Sequence, residues 1–376
     1  MRYQFPKIQT IQDVLPHIQG RDEFVVAERD SYTVINYVVS MSDTFEMTGP
    51  DDLTGAMRRE CRGLIFDKAG MLISRPFHKF FNVNEREETQ MNVIDLGQPH
   101  VIMEKMDGSM IRPILVDGYL RLATKMGVTD VAMQAETWLA ASGDNIKGWL
   151  RSCVENGITP LLEWISPFNQ IVIAYEAAAL VYLGSRVNLT GEYFFDEDVP
   201  FTLVPRYGNV AGNLTDYVAR QRSAEGREGD IIRFADGHML KIKNDWYVRI
   251  HKTVDKIRFD RHIVELILNE EIDDAIPMLP VVQANRVRNF EIRFWNAFGN
   301  KERYILGRFD ESQMHFGNDR KAIATQYVPL LEDKGVAPFI FRMLDGHNIR
   351  DLMLDHVRKS ISTNVRWDEC AAWMGM

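Results

Sequence analysis

The chain has 376 residues, a formal net charge of −9, 45% hydrophobic residues and 26% charged residues, the balance of an ordinary folded protein long enough for two or three domains. No apolar run approaches the roughly 20 residues that span a bilayer, and the first thirty residues carry Arg2, Lys7, Asp13, Arg21, Asp22 and Glu23 with no apolar h-region, so neither a membrane span nor a secretory leader is expected. Cys61, Cys153 and Cys370 stand too far apart for a disulfide framework or a zinc site, which predicts a reduced, cytoplasmic protein.

In chain order, residues 32–40, 63–67, 100–105, 110–116 and 119–125 are rich in β-branched and aromatic residues between turn formers and read as strands. Asp117-Gly118 and Asp236-Gly237 are two-residue hairpin signals. Helices are expected near 130–141 and 144–155. The second gathers Ile146, Trp149, Leu150, Cys153 and Val154 on one face and stops at Gly157. "LLEWISP" (161–167) is an apolar strand with one acid, Glu163. After about residue 253 the apolar spacing becomes helical, with Trp295 and Phe298, like Trp138 and Trp149 before them, at core positions. The expectation is an α+β chain: a domain of antiparallel sheets with flanking helices over 1–253, then an all-helical domain over 254–376. Two stretches are locally basic despite the acidic total. Six Lys/Arg face Asp245 and Asp255 between 241 and 258, and six face Glu291 and Glu302 between 286 and 308.

The stretch "VIMEKMDGSMIRPI" sets Lys105 between an apolar run and an Asp107-Gly108 turn, where an ammonium is costly without a partner. An ordinary lysine is neutral in only about one molecule in 2,500 at pH 7, so a nucleophilic one needs desolvation or neighbouring cations. Gly108 would let a phosphate approach the backbone, and Asp107 would cap the turn or hold a metal-bound water. Met106 should face away from the lysine. A two-residue turn at Asp236-Gly237 pairs Ile232 with Lys241, Asp230 with Lys243 and Glu228 with Asp245. Glu228, Asp230, Lys241 and Lys243 then share one face, and Ile231, Arg233, Leu240 and Ile242 the other. Such a face is either a surface ion-pair ladder or a site where carboxylates hold a divalent cation and lysines neutralise a polyphosphate. Arg62 in "ECRGLIFD" and Lys79 in "SRPFHKFFN" also stand beside apolar runs.

The ordered set Lys105-x-Asp107-Gly108, Glu163, Glu228-Gly229-Asp230 and Lys241-Ile242-Lys243 resembles the covalent nucleotidyltransferase superfamily of ligases and capping enzymes. "ECRG", "SRPFHKFFNVNE", "EKMDGS", "EWISPFNQIVIAY", "EGDIIRF" and "KIKNDWY" are similar, in order, to the blocks of the phage tRNA-repair RNA ligases, the RNA ligase 1 family. The resemblance covers the chain to about residue 250 and the remainder by length and class alone. It implies a ligase-type nucleotidyltransferase fold, unrelated to ATP-grasp, and, if the protein is phage-encoded, the host cytoplasm as its place; a monomer is the expected state. It also implies an ATP-dependent joining of RNA 5′-phosphate and 3′-hydroxyl ends, with tRNA as substrate. Lys105 would take AMP from ATP as a lysyl phosphoramidate, pass it to the 5′-phosphate, and leave it to be displaced by the 3′-hydroxyl. By the same resemblance Lys241 and Lys243 act at the α-phosphate, and Glu163 and Glu228 hold Mg²⁺ (or Mn²⁺) or the ribose. Arg62, Lys79 and Lys125 contact the outer phosphates, Tyr37 the adenine, Tyr247 belongs to the site, and Asp273 is a further metal ligand. A DNA ligase or capping enzyme would append a strand-rich OB-fold where this chain turns helical. A silent RNA-binding adaptor would not need all five of Lys105, Glu163, Glu228, Lys241 and Lys243.

Overall fold

Alternating apolar and polar runs in the first 250 residues become fourteen strands in a computed structural model that describes residues 3–210 and 212–376. The chain divides into two compact units, Met1–Arg249 and Ile250–Met376, and the division falls within the helix Asp245–Lys256.

In the first unit, β1 (Phe24–Glu28), β2 (Tyr32–Tyr37), β3 (Arg62–Asp67) and β4 (Leu72–Ser74) form an antiparallel sheet in sequence order. Next come β5 (Phe81–Asn82) and β6 (His100–Lys105), which wait for partners far downstream. A second sheet has the order β11-β10-β9-β7-β8, from β7 (Ser109–Val116), β8 (Tyr119–Ala123), β9 (Ile158–Ile165), β10 (Ala179–Val187) and β11 (Tyr193–Phe194). The short β12 (Thr202–Leu203) lies parallel to β10. β13 (Gly229–Phe234) and β14 (Met239–Lys243) then complete the third sheet, β5-β14-β13-β6. The expected antiparallel pairing holds except for β12 on β10 and β5 on β14.

The second and third sheets face each other. Leu161 of β9 packs with Met239 of β14, and Met103 of β6 with Ile165 and Val181. Helices cover the outer faces. Asp130–Ala141 and Asp144–Glu155 lie on the second sheet through Leu139 and Leu150, and Leu214–Ser223 lies on the third through Leu214, Tyr217 and Val218. Strands buried on both faces read as continuous apolar runs, which is why "LLEWI" shows no alternation around its one acid.

The two hairpin signals resolve differently. At Asp117-Gly118 both residues take positive φ (50° and 82°) and Val116 pairs Tyr119, a two-residue turn as expected. At Asp236-Gly237 only the glycine does (φ 87°), the Phe234 amide donates to the His238 carbonyl, and the loop holds three residues. The observed pairs are Ile231 with Lys241 and Gly229 with Lys243, one residue from the expected register. A three-residue loop ending in a left-handed glycine absorbs the extra residue as a bulge. Lys241 and Lys243 still share a face, opposite buried Leu240 and Ile242, but Ile231 and Arg233 join the lysines while Asp230 moves to the outer side. There Asp230 accepts from the Tyr217 hydroxyl and pairs with Arg227 at 3.0 Å.

The second unit is helical among its described residues. Its axis is the 36-residue helix Val281–Phe316, about 54 Å long at 1.5 Å per residue. Phe290, Phe294 and Phe298 of that helix join Ile340, Met353 and Trp367 from Ala337–Leu344, Ile349–Ser360 and Asn364–Met374 in one core. Among the described residues no helix is long and apolar enough to cross a membrane.

Candidate active site

Lys105 ends β6, and its Nζ lies 2.7 Å from Glu228 Oε1. The same carboxylate oxygen takes Lys243 Nζ at 2.9 Å. Strand alternation alone would turn Glu228 outward with Asp230 and Ile232. Gly229 intervenes at φ 148°, where a Cβ would stand 2.0 Å from the Ile242 carbonyl oxygen. That glycine breaks the alternation and lets Glu228, 3% exposed, reach the lysine face.

The cavity beside these groups has a volume of about 290 Å³. β6, β13 and β14 supply Lys105, Ile231, Lys241 and Lys243, β7 and β9 supply Met110 and Glu163, and β2 and β3 supply Tyr37 and Arg62. Lys79 and Phe80 close one wall from the segment before β5. Arg62, Lys79, Lys105, Lys241 and Lys243, spread over 182 residues of sequence, thus converge on one chamber. Lys79 Nζ lies 4.9 Å from the Tyr37 ring centroid and 5.2 and 5.5 Å from those of Phe45 and Phe81, a cation held against aromatic faces. Lys125 approaches the Tyr37 ring at 5.8 Å.

This crowding shows in proton affinity. Burial, with Lys79, Arg62 and Lys105 adding to it, lowers Lys241 to about 7 against the opposing Glu85 carboxylate. Burial raises Glu163 to about 8, opposed by Lys105 and reinforced by Glu228. Burial also opposes ionisation of Tyr37, but Lys79, Arg62 and Lys125 outweigh it and hold the phenol below its ordinary value.

Several expectations change. Met106 does not face away: the strand ends at Lys105, alternation ends with it, and Met106 lines the cavity. Asp107 is engaged within the protein. It is buried, accepts from the Val172 and Ile173 amides at 2.8 and 2.7 Å, and takes the Tyr247 hydroxyl at 2.6 Å. Tyr247 is therefore a strut behind the Lys105 turn, its phenol pushed up by burial and the Glu228 and Asp107 carboxylates, while its ring lies 5.3 Å from Lys243 Nζ. Gly108 seats the turn on β9, where a Cβ would lie 2.3 Å from the Trp164 carbonyl oxygen and 3.0 Å from Glu163 Cγ. Asp273 is exposed in the four-residue helix Ile272–Ala275 of the second unit. Among the described residues no three His, Cys, Asp or Glu gather as a metal cluster; Glu163 lines the cavity and Glu228 meets Lys105 in the first unit. His78 is buried against the Tyr193 hydroxyl at 2.8 Å and has no place in the cavity. Cys61 is buried and its thiol pushed up by desolvation, as expected of an inert one.

Sequence reasoning passed over two features. The cavity's apolar lining includes four methionines (Met103, Met106, Met110 and Met239), visible as a group only once β6 with the turn after it, β7 and β14 meet. Arg112, an arginine inside an apolar strand, is fully buried, and that placement was the available signal.

Residues 60–247 match the family model described as RNA ligase. A Thermovibrio ammonificans protein with the provisional name RNA ligase is 30% identical over 299 residues, covering 75% of this chain and 76% of its own. RNA ligase 1 of bacteriophage TS2126 is 24% identical over 254 residues, 64% of this chain and 62% of the phage protein. A solved Naegleria gruberi RNA ligase, determined with ATP and Mn, aligns over 42% of this chain and 52% of its own at 16% identity and a TM-score of 0.34. The family model spans half the sequence and reaches from the strand of Arg62 to Tyr247, so with the Thermovibrio relative beside it the chain belongs to the RNA ligase family.

Proposed function

We propose that the protein is an ATP-dependent RNA ligase whose first unit adenylylates itself on Lys105. The observation that carries this reading is Lys105 Nζ, 2.7 Å from Glu228 at the wall of a cavity that also gathers Arg62, Lys79, Lys241 and Lys243. Nζ attacks the α-phosphorus, a P–N bond forms, and the bond to the bridging oxygen of pyrophosphate breaks. Glu228 stands at hydrogen-bond distance to take the amine proton. Lys241 and Lys243 face the charge that grows on the α-phosphate, and Arg62, Lys79 and Lys125 the outer phosphates. AMP then passes to an RNA 5′-phosphate, and a 3′-hydroxyl displaces it to close the phosphodiester.

A divalent cation fits Glu163 better than Glu228. Glu163 lies in the cavity wall and engages in no ion pair among the described residues, whereas two lysines already occupy one oxygen of Glu228. Mg²⁺ is commonly held by one or two carboxylates with substrate phosphates and waters, and when bound it neutralises charge on those phosphates. Incubation with labelled ATP, GTP or NAD, followed by denaturing electrophoresis, should label the protein from ATP alone. Labelling from GTP would favour a capping-type enzyme, from NAD another ligase class, and from none of them a silent adaptor.

The second unit is assigned RNA positioning, with broken tRNA in the cytoplasm as the preferred substrate. Support comes from the exposed stripe Asn285, Arg288, Asn289, Ile292, Asn296, Asn300 and Arg303 at helical spacing on Val281–Phe316. Arg286 is set apart from this role, because it binds Asp260 at 2.6 Å and the Ile257 carbonyl. Changing Arg288 and Arg303 together to alanine should weaken RNA binding and reduce its salt slope by roughly 1.5, with Lys105 labelling unchanged. An unaltered salt slope would remove these residues from the RNA path.

A further inference from the structure

Three arginines are fully buried in the first unit: Arg75, Arg112 and Arg186. Two are explained by Glu60, which Arg75 meets at 3.1 Å and Arg186 at 2.7 Å. Arg112 has no carboxylate partner among the described residues. Its guanidinium donates through Nε to Ser74 Oγ at 2.8 Å, through Nη1 to the Thr124 carbonyl at 3.0 Å, and through Nη2 to the Gly63 carbonyl. Burial and the neighbouring Arg62 both press against its charge, lowering it to about 9. An unpaired buried cation is a poor way to fill space that a methionine could occupy. Its acceptors say what it does there.

Gly63 and Thr124 are the chain neighbours of Arg62 and Lys125. Gly63 is the extra residue of a bulge, since Ile35 pairs Leu64 while Asn36 pairs Arg62, and it stands at φ 103°. The bulge re-aims Arg62 and takes the Gly63 carbonyl off the ladder. The two segments nearly touch, for a Cβ on Gly63 would lie 2.7 Å from both Cα and O of Lys125. Yet β3 belongs to the first sheet, and β8, which leads into Lys125, to the second. No ladder hydrogen bond can set their spacing. Resting on the reading of Arg62 and Lys125 as triphosphate contacts, we propose that Arg112 is a positioning residue: it bolts the two sheets together at Gly63 and Thr124, so that both cations address the same polyphosphate.

The test uses the full chain with Arg112→Met and Arg112→Lys. It measures thermal stability, binding of inorganic tripolyphosphate, ATP dependence of Lys105 labelling, and sealing of pre-adenylated RNA, which needs no triphosphate. Arg112→Met should weaken tripolyphosphate binding and raise the ATP KM tenfold or more. Sealing of pre-adenylated RNA should stay within threefold and the labelling rate at saturating ATP within fivefold. Arg112→Lys, which keeps the charge and a single donor nitrogen but not the fork, should recover part of the loss. If Arg112→Met does not fold, Arg112→Lys alone carries the test, with a several-fold weaker tripolyphosphate affinity at wild-type stability. Unchanged tripolyphosphate affinity in a folded variant overturns the proposal, as does a parallel fall of labelling and sealing that tracks lost stability. Wild-type protein that binds tripolyphosphate but takes no label from ATP would refute the ligase reading and leave the Arg112 comparison decisive through binding alone. Wild-type protein that does neither refutes both.

Discussion

Lys105→Ala protein incubated with labelled ATP is expected to carry no label after denaturing electrophoresis, a loss limited only by detection. The amine nitrogen is the atom that becomes bonded to phosphorus, and no water or neighbouring side chain can stand in for a covalent attachment point. Lys241 and Lys243 line the same cavity, but each should support the reaction by charge and neither should accept AMP. The fold should survive. Lys105 ends its strand with its side chain 24% exposed, and its removal leaves Glu228 still paired with Lys243 at 2.9 Å, so no buried carboxylate is stranded. Because the third chemical step needs no free lysine, the variant should still seal RNA already carrying a 5′-adenylate. Labelling at the wild-type rate would show that another residue is the nucleophile.

The sequence made the participants legible far better than their arrangement. Glu163 and Lys105 stood out because a charged group in an apolar strand conflicts with its surroundings, and such conflicts mark sites. The antiparallel character, the helices at 130–141 and 144–155 and the helical second unit followed from periodicity. What failed were inferences that ran through a turn. The Asp236-Gly237 loop took three residues where two were expected, because its aspartate stays out of the left-handed region that Asp117 enters, and Asp230 changed faces with the one-residue shift. Met106 and Glu228 escaped alternation where a strand ended and where Gly229 twisted. The Arg112 contacts were illegible for a different reason: Gly63 and Thr124 lie 49 and 12 residues away, and nothing local to "MIRPILV" reveals which sheets its arginine will join.

Lys241→Met is expected to make the ATP-free protein more heat-stable and at the same time nearly inactive in forming lysyl-AMP. The lysine sits among Lys79, Arg62 and Lys105 and is lowered to about 7 from an ordinary 10.5, burial being the largest cause. Between those two values the unfolded chain holds a proton that the folded chain has released, so the folded state is penalised most at and below pH 7, and stability gained from this group rises with pH toward 10.5. Glu163 runs the other way. Raised to about 8 from 4.5, it keeps a proton in the fold that the unfolded chain loses, and its contribution falls as pH climbs from 4.5 to 8. Methionine at 241 removes the first slope and leaves the second. The gain in Tm should therefore be on the order of 5 °C near pH 6.5 and shrink toward zero by about pH 10. Catalysis moves in the opposite sense, because the same strained cation meets the charge developing on the α-phosphate, and removing one such electrostatic partner commonly lowers the rate by about 100-fold or more. Thermal scans from pH 6 to 10, run beside single-turnover labelling at saturating ATP, check both halves. A Tm gain that stays constant across that range would mean that repacking and not charge relief produced it, and a normal labelling rate would remove Lys241 from the chemistry.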